Sequence, residues 1–329
     1  MGAFVPPASP SGESRTGRPA AAPRVKDAAL TIPRGVAQVD FQSNYWTGLI
    51  FVIALFAGGW QFGVFGLLGT VTATLTAHLL GVTWDRVSMG LEGFNGTLIG
   101  IGLVLYLGAS WMTAALVVGG AVAGGVLTAA LNTVLKPYDL PTFTAPFCVV
   151  TTVVVIGAPA FERVWAGHPD TPPPSAADPG TALSWHEFWQ GWFSGIGQVF
   201  FQDEWYVGLI FLAGLAVASR LVAATALAAS LIGLLVGWWF GAQAADLGAG
   251  LYGYNAVLTG IALTGTFVAL SRAGAAYAAV GAATAAGLTA GLTVLFDAVG
   301  GHTLTWPFVL VTWVFLAAVP IFSRIRRAA

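Results

Sequence analysis

The chain has very little charge for its length. Of its 329 residues, 13 are Lys or Arg and 14 are Asp or Glu. Charged residues therefore make up only 8% of the chain, and hydrophobic residues make up 57%. A soluble domain has about 25% charged residues, so this composition excludes an ordinary soluble protein and predicts one that lies in a lipid bilayer.

Cysteine is nearly absent, and the sequence patterns of common enzymes are absent altogether. The single cysteine, Cys148, excludes an internal disulfide and any site built from several cysteines. The histidines have no ligand-like spacing: His78, His168, His186 and His302. The sequence has no H-E-x-x-H, no G-x-S-x-G, no P-loop and no acidic relay through its apolar segments. We therefore expect no enzyme, no cofactor, no metal and no proton-coupled pump.

Long apolar segments are abundant, and each half of the chain contains five of them. Those of the first half cover about 46–62, 63–82, 94–109, 111–135 and 144–161. Those of the second half cover about 206–218, 221–245, 254–271, 273–296 and 306–323. Since a helix needs about 20 residues to cross the hydrocarbon core, most of these segments are candidate membrane spans. The predicted fold is an all-α polytopic membrane protein.

The chain also repeats itself with an offset of 160 residues. Three blocks recur in register or one residue out of it: 38–42 as 198–202, 90–96 as 250–256, and 144–147 as 305–308. A period this long indicates two domain-sized halves rather than a solenoid of short repeats. We expect the two halves to meet around one site.

Five spans in the first half place the second half upside down in the membrane, so the halves are predicted to be inverted repeats. If the N-terminus is cytoplasmic, 12 of the 13 basic residues fall on the cytoplasmic side, as the positive-inside rule requires, and only Arg163 falls outside. We predict a disordered cytoplasmic tail (1–35), a first repeat (36–161), an extracytoplasmic linker (162–195), a second repeat (196–323) and a basic cytoplasmic C-terminus (324–329).

The motif around 140–147 predicts the start of a helix. Pro146 lacks an N–H and suits the first turn of a helix, and the Thr144 hydroxyl just before it can cap that helix. Thr305 stands in the same position before Pro307. One such copy is typical of an ordinary proline-initiated span. Two inverted copies, however, bring two hydroxyl-bearing helix starts together in the membrane, as a polar solute site requires.

Aromatic residues lie within the other two repeated blocks. Phe41 and Phe201 end the Gln-Val-x-Phe pattern, and Phe94 and Tyr254 follow the glycines of the Gly-Leu-x-Gly pattern, which predicts a re-entrant turn. Interfacial anchoring is the common role of such rings. Two parallel rings in each half would instead form a slot that admits a flat molecule and hinders a hydrated ion.

Four polar residues in these blocks have open or local roles. Asn95 and Asn255 can cap or brace the segment that follows each turn. For Glu92, both a pore-related and a bracing role stay open, because a charge at this depth must line a polar cavity or be paired. Asp40 is expected at the inner water interface.

Over about 38–323 the chain resembles the urea transporter family. The shared marks are the two Gln-Val-x-Phe blocks, the two Gly-Leu-x-Gly-[Phe/Tyr]-Asn blocks, and the Leu-Pro-x-x-Thr-x-Pro-Phe motif with its degenerate partner at 303–308. The resemblance implies inverted repeats of five transmembrane helices, each with a short re-entrant helix, in a homotrimer with one pore per subunit. It also implies passive, single-file passage of dehydrated urea between stacked rings.

By position, the resemblance implies eight substrate-binding residues. Thr144 and Thr305 would supply central hydroxyls, and Gln38 and Gln198 would supply side-chain oxygens near the outer and inner sites. The slot rings would be Phe41, Phe94, Phe201 and Tyr254. Tyr254 stands where a Phe is expected and adds a hydroxyl to one slot, while Asp40 places a charge beside Phe41.

Two alternatives to urea conduction stay open at this point. One is a channel for other small neutral solutes, such as short amides or ammonia, because the Tyr254 hydroxyl can relax the shape filter. The other is a membrane sensor or scaffold, although a sensor needs an output domain and a tail of about 35 residues is too short for one. The missing secretory signal and the Ala/Gly-rich segments favour a bacterial inner membrane.

Overall fold

The computed structural model describes residues 25–165 and 182–328, and this part of the chain is almost entirely helical. The first half contains α1 (Val25–Ala37), α2 (Tyr45–Gly58), α3 (Trp60–Leu79), α4 (Trp84–Ser88), α5 (Phe94–Leu107), α6 (Trp111–Leu135), α7 (Ala145–Gly157) and α8 (Glu162–Trp165). The second half contains α9 (Trp185–Gly197), α10 (Trp205–Ala218), α11 (Arg220–Trp239), α12 (Ala244–Gly248), α13 (Tyr254–Ile261), α14 (Arg272–Asp297) and α15 (Trp306–Ala318).

Three of the four longest helices begin after a serine that caps them. The hydroxyls of Ser110, Ser219 and Ser271 each accept the N–H of the residue three positions later, at 3.0, 3.4 and 2.9 Å. These serines precede α6, α11 and α14. The first N–H groups of a helix have no partner within it, and such a group is costly in an apolar environment. The serines therefore define where these apolar helices start.

The helices of the two halves match in order and in length. A short 3₁₀ helix follows α1 at Gln38–Asp40 and α9 at Gln198–Phe200. The matching helices α2 and α10 each have 14 residues, α3 and α11 each have 20, and α7 and α15 each have 13. The sequence repeat is thus a repeat of helices.

The match breaks at one place, after the glycine-rich turn. In the first half α5 continues for 14 residues, whereas α13 has only eight. Within the short π-helical segment Ala262–Thr266 that follows, Thr264 leaves the helical region and Gly265 takes φ +78°. The chain then forms an isolated antiparallel bridge between Val268 and Arg327.

The two halves share one buried core. Phe51 on α2 packs against Phe211 on α10 with ring centroids 4.9 Å apart, and Phe200 stacks on Phe211 at 4.3 Å. The Thr47 hydroxyl donates to the Gly214 carbonyl at 2.8 Å across the same contact. All three rings are fully buried. Burial of this apolar area joins the halves into a single body.

Four of the described helices are long and apolar enough to cross a membrane. They are α3, the segment Trp111–Tyr138 that includes α6, and α11 and α14. The pair Trp185–Phe200 and Trp205–Ala218 passes the same test as one segment bent by 69°. A helix overlaps each of the ten predicted segments. The prediction of an all-α polytopic membrane protein is confirmed at this level.

Three helices lie where the sequence predicts a tail and a linker. The predicted tail (1–35) overlaps α1, and residues 1–24 lie outside the described residues. The predicted linker (162–195) overlaps α8 and α9, and residues 166–181 likewise lie outside. At the start of α9, Ser184 and Glu187 form a reciprocal capping box. This Ser-x-x-Glu pattern is visible in the sequence and signals the helix start.

Candidate functional site

The two Thr-x-Pro-Phe motifs meet at the centre of the structure. The Thr144 and Thr305 hydroxyl oxygens lie 2.5 Å apart, and the Thr305 oxygen lies 3.1 Å from the Cys148 sulfur. Both threonines are buried, at 2% and 1% exposure. Each lies directly before its helix, and Pro146 and Pro307 occupy the first turns of α7 and α15. The sequence pattern predicts that Thr144 caps α7. In the structure its hydroxyl instead forms a hydrogen bond with Thr305 of the other half.

Asparagines from the glycine-rich blocks cap these helices in place of the threonines. The Phe147 N–H donates to Asn95 Oδ1 at 3.1 Å, and the Phe308 N–H donates to Asn255 Oδ1 at 3.1 Å. Each Asn also donates back to the carbonyl of the residue before the threonine, Phe143 or Leu304. The asparagines therefore brace the threonine motifs rather than the segments that follow their own turns.

Four bulky residues at this centre have left-handed backbone conformations. The φ values are +61° for Phe41, +59° for Phe201, +49° for Phe143 and +47° for Leu304. L-residues with side chains avoid this region at a cost of about 1–2 kcal/mol each. Such outliers persist only where the surrounding structure enforces them, and they cluster at functional sites. Because they occur in matching pairs, both halves contribute the same strained geometry.

Phe41 lies in a cluster of four rings, which we name the Phe41 ring set: Phe41, Phe143, Phe267 and Phe308. The Phe41 ring centroid lies 6.0 Å from Phe143, 5.7 Å from Phe267 and 6.1 Å from Phe308, each edge to face. Phe308 comes from the opposite half of the chain. The left-handed turn at Phe41 is closed by its own N–H, which donates to the Gln38 carbonyl at 3.0 Å. This turn directs the ring into the contact between the halves.

Phe201 lies in the corresponding cluster, the Phe201 ring set: Phe201, Tyr106, Phe147 and His302. The Phe201 centroid lies 6.2 Å from Tyr106 and 5.9 Å from Phe147. Tyr106 also stacks on His302 at 3.9 Å with nearly parallel planes. His302 lies in the loop between α14 and α15. Burial lowers its pKa and outweighs the carboxylate of Asp297, which acts in the opposite direction, so the imidazole is neutral at pH 7.

The two glutamines occupy equivalent positions and use the same half of their amide. Gln38 Nε2 donates to the Met89 carbonyl and Gln198 Nε2 donates to the Ala249 carbonyl, both at 2.9 Å. These bonds fix each side chain against the glycine-rich turn of its own half. The amide oxygen is the remaining polar atom of each side chain, and its contact with a solute stays a prediction.

Phe94 and Tyr254 are the first residues of α5 and α13. Among the described residues, Phe94 makes no ring contact with Phe41, so a facing pair with a gap between the rings stays a prediction. The Tyr254 hydroxyl donates to the Leu304 carbonyl at 2.8 Å. This hydroxyl is therefore engaged with the backbone, which limits its effect on a slot.

The two acidic residues have different surroundings. Glu92 pairs with Arg86, whose Nε lies 2.7 Å from Glu92 Oε1, so the carboxylate braces the turn. A Cβ at Gly90 in the same turn would lie 2.5 Å from the Arg34 backbone, which explains the glycine. Asp40 is only 1% exposed, so its expected position at the water interface is wrong. Its Oδ1 atom has no hydrogen-bond partner among the described residues.

The candidate site contains two kinds of group that can contact a solute. These groups are side-chain or backbone oxygens and the faces of aromatic rings. The described residues contain no group of three His, Cys, Asp or Glu side chains arranged to hold a metal ion. Six ring-set members are missing from the sequence-based set of substrate contacts: Tyr106, Phe143, Phe147, Phe267, His302 and Phe308. Phe147 and Phe308 end the Thr-x-Pro-Phe motifs and Phe143 directly precedes Thr144, so the position of these rings beside the threonines could have identified them.

Comparison with known proteins gives consistent matches over most of the chain. A family model described as "Urea transporter" matches residues 29–320. Urea transporter 1 of Ovis aries is 32% identical over 289 residues, which cover 86% of this chain and 75% of the relative. Urea transporter 1 of Mus musculus is 31% identical over 289 residues, which cover 87% of this chain and 75% of the relative.

Proposed function

Because this chain belongs to the urea transporter family, we propose that it conducts urea passively along the contact between its two halves. The path runs past the Phe41 ring set, the Thr144 and Thr305 hydroxyls and the Phe201 ring set. The protein is a membrane transporter of urea and not an enzyme. The family resemblance inferred from the repeated motifs is thereby confirmed.

The observation that carries the proposed path is the contact between Thr144 and Thr305. Thr144 stands between Phe143, a member of one ring set, and Phe147, a member of the other. The short segment 143–147, which contains Thr144, therefore contributes a ring to each cluster. We assign substrate contacts to Gln38, Phe41, Phe94, Thr144, Gln198, Phe201, Tyr254 and Thr305.

Urea matches this combination of oxygens and rings. It is planar, with one carbonyl and two amino groups, so hydroxyl, amide and backbone oxygens can replace its lost water. Leaving its amino hydrogens unpaired in an apolar slot would cost several kcal/mol each. The rings and threonines carry no charge, and an ion entering them would lose tens of kcal/mol of hydration.

The architecture we propose is a pair of inverted repeats, each with five spans and a re-entrant helix. The matching helices, the odd number of predicted spans and the distribution of basic residues support it. We further propose cytoplasmic termini, a bacterial inner membrane and a homotrimer, the last from the family resemblance alone.

The orientation is tested by labelling from one side of the membrane. In a Cys148→Ala background, Arg86→Cys and Arg220→Cys are to be treated with a membrane-impermeant maleimide in intact cells and in inverted vesicles. Inverted repeats require both positions to be labelled from the same side. Labelling from opposite sides would overturn this arrangement.

The permeant is tested by stopped-flow light scattering on proteoliposomes. Urea, acetamide and glycerol are to be compared with protein-free vesicles. Rapid flux of urea but not of the other two supports the proposal. Equal rates would support the alternative channel for small neutral solutes, and no urea flux would contradict conduction. The bond from the Tyr254 hydroxyl to Leu304 weakens that alternative, because the hydroxyl is already engaged.

A further inference from the structure

Phe267 comes from the one place where the two halves do not match. With the one-residue shift also found between 144–147 and 305–308, its counterpart in the first half is Tyr106, which lies near the end of the continuous helix α5. Phe267 instead follows Gly265 in a non-helical segment. Both residues contact the left-handed ring of the opposite half, at 5.7 Å for Phe267 and 6.2 Å for Tyr106. Helix α5 fixes the position of Tyr106. Because Phe267 lies outside a regular helix, another part of the chain must fix its position.

A second segment of the chain binds the backbone on both sides of Val268. We name residues 322–328 the strap. The Ala328 N–H donates to the Phe267 carbonyl at 3.0 Å, and the Ala269 N–H donates to the Arg326 carbonyl at 2.8 Å. Val268 between them is fully buried. The first of these bonds acts directly on the residue whose ring lies in the Phe41 ring set.

Apart from this pairing, the strap is loosely packed. A groove of about 410 Å³ lies between the strap and Tyr277. Ile325 packs against the core, and the Phe322 ring lies 5.9 Å from Tyr277. Arg327 is partly buried, which lowers its pKa, and the opposite charge of Asp139 acts to raise it.

We propose that Phe267 is a specificity-determining residue of the Phe41 ring set and that the strap is the element that positions it. The inference rests on the proposed path of urea. The Phe267 ring limits the width available beside Phe41, so that unsubstituted urea passes and its N-methyl derivative is retarded. When the strap is released, the ring loses its position and this discrimination weakens.

The proposal is tested by the ratio of N-methylurea to urea permeability in proteoliposomes of the full chain. Phe267→Ala is expected to raise the ratio about tenfold, since one methyl group is worth about that much in an apolar pocket. Phe267→Tyr keeps a ring and should restore the wild-type ratio. Tyr106→Ala, the matched variant in the other half, is expected to raise the ratio less, and an equal rise would overturn the assignment of the discrimination to Phe267.

The strap is tested at Ala328. Ala328→Pro removes the N–H that binds Phe267, and Ala328→Gly keeps it, so only the proline variant should raise the ratio. An unchanged ratio in Phe267→Ala and in the milder Phe267→Leu would overturn the role of the ring. Equal ratios for Ala328→Pro and Ala328→Gly would overturn the role of the strap. Absence of urea flux in the wild type would instead contradict the underlying urea path.

Discussion

The two halves make the same ring contacts at the candidate site, but different backbone structures hold the rings in place. In the first half, α5 runs unbroken to Tyr106 and beyond, whereas in the second half α13 ends early and a backbone bridge carries Phe267. At the preceding block, Phe200 stacks in the core, but its counterpart Asp40 is buried and its Oδ1 has no hydrogen-bond partner within 25–165 and 182–328. Both halves share the paired threonines, the bracing asparagines and an aromatic residue with a left-handed backbone conformation, Phe41 or Phe201. The contacts at the candidate site are therefore the same in both halves, whereas the packing that supports them differs.

The largest expected effect concerns Phe200 and Asp40. Phe200→Ala removes a fully buried ring and should lower the free energy of unfolding by about 3–5 kcal/mol. Asp40→Ala removes a buried acid with an unpaired oxygen, so we expect no loss or a gain of stability. Thermal unfolding of the purified proteins in detergent measures both. Similar losses would show that Asp40 has a structural partner after all.

The next effect concerns the two threonines. Thr144→Val and Thr305→Val keep the shape of the side chain but remove the hydroxyl, which leaves a urea hydrogen-bonding group unpaired. The cost of about 1–3 kcal/mol corresponds to a fall in urea flux of about 5- to 150-fold. Both variants should elute like the wild type in size-exclusion chromatography.

Thr151 and Thr312 provide matched controls for this experiment. They lie further along α7 and α15, they are fully buried, and their hydroxyls have no partner among the described residues. Thr151→Val and Thr312→Val should therefore leave urea flux close to the wild-type rate. If all four valine variants lose flux alike, the threonine pair has no special place in the path.

A smaller difference is expected between the bracing asparagines. Asn95→Ala and Asn255→Ala each leave the first turn of the neighbouring helix without its cap. Asn255 has one further bond, to the Thr289 hydroxyl at 3.2 Å, so its loss should cost about 1 kcal/mol more. Comparison of their midpoints of thermal unfolding measures the difference. A larger loss for Asn95 would reverse this expectation.

The smallest effect is expected for Tyr254→Phe. The hydroxyl donates to the Leu304 carbonyl, and its removal should cost about 1 kcal/mol of stability. The ratio of acetamide to urea flux should stay at the wild-type value, because the hydroxyl is not free to meet a solute. A shifted ratio would place this hydroxyl in the slot and revive the broader solute range.

Several parts of the fold and site can be predicted from local patterns. The starts of α7 and α15 follow from Pro146 and Pro307, and the two glycine-rich turns follow from their small residues. The pattern at Ser184 and Glu187 was sufficient to predict α9 as well. The left-handed conformation of Phe41 was not predictable in this way. No glycine marks it, and only contacts with the rest of the protein stabilise it.

The sequence by itself determined that the protein lies in a membrane, that it consists of two related halves and where most helices start. Composition, period and capping residues depend on neighbours along the chain, so they can be read without a fold. Only the tertiary structure decided that the Thr144 hydroxyl pairs with Thr305 rather than capping its helix, and that Phe41 packs on Phe308 from the opposite half. These contacts join residues far apart in the chain, and they depend on how the helices of the two halves cross.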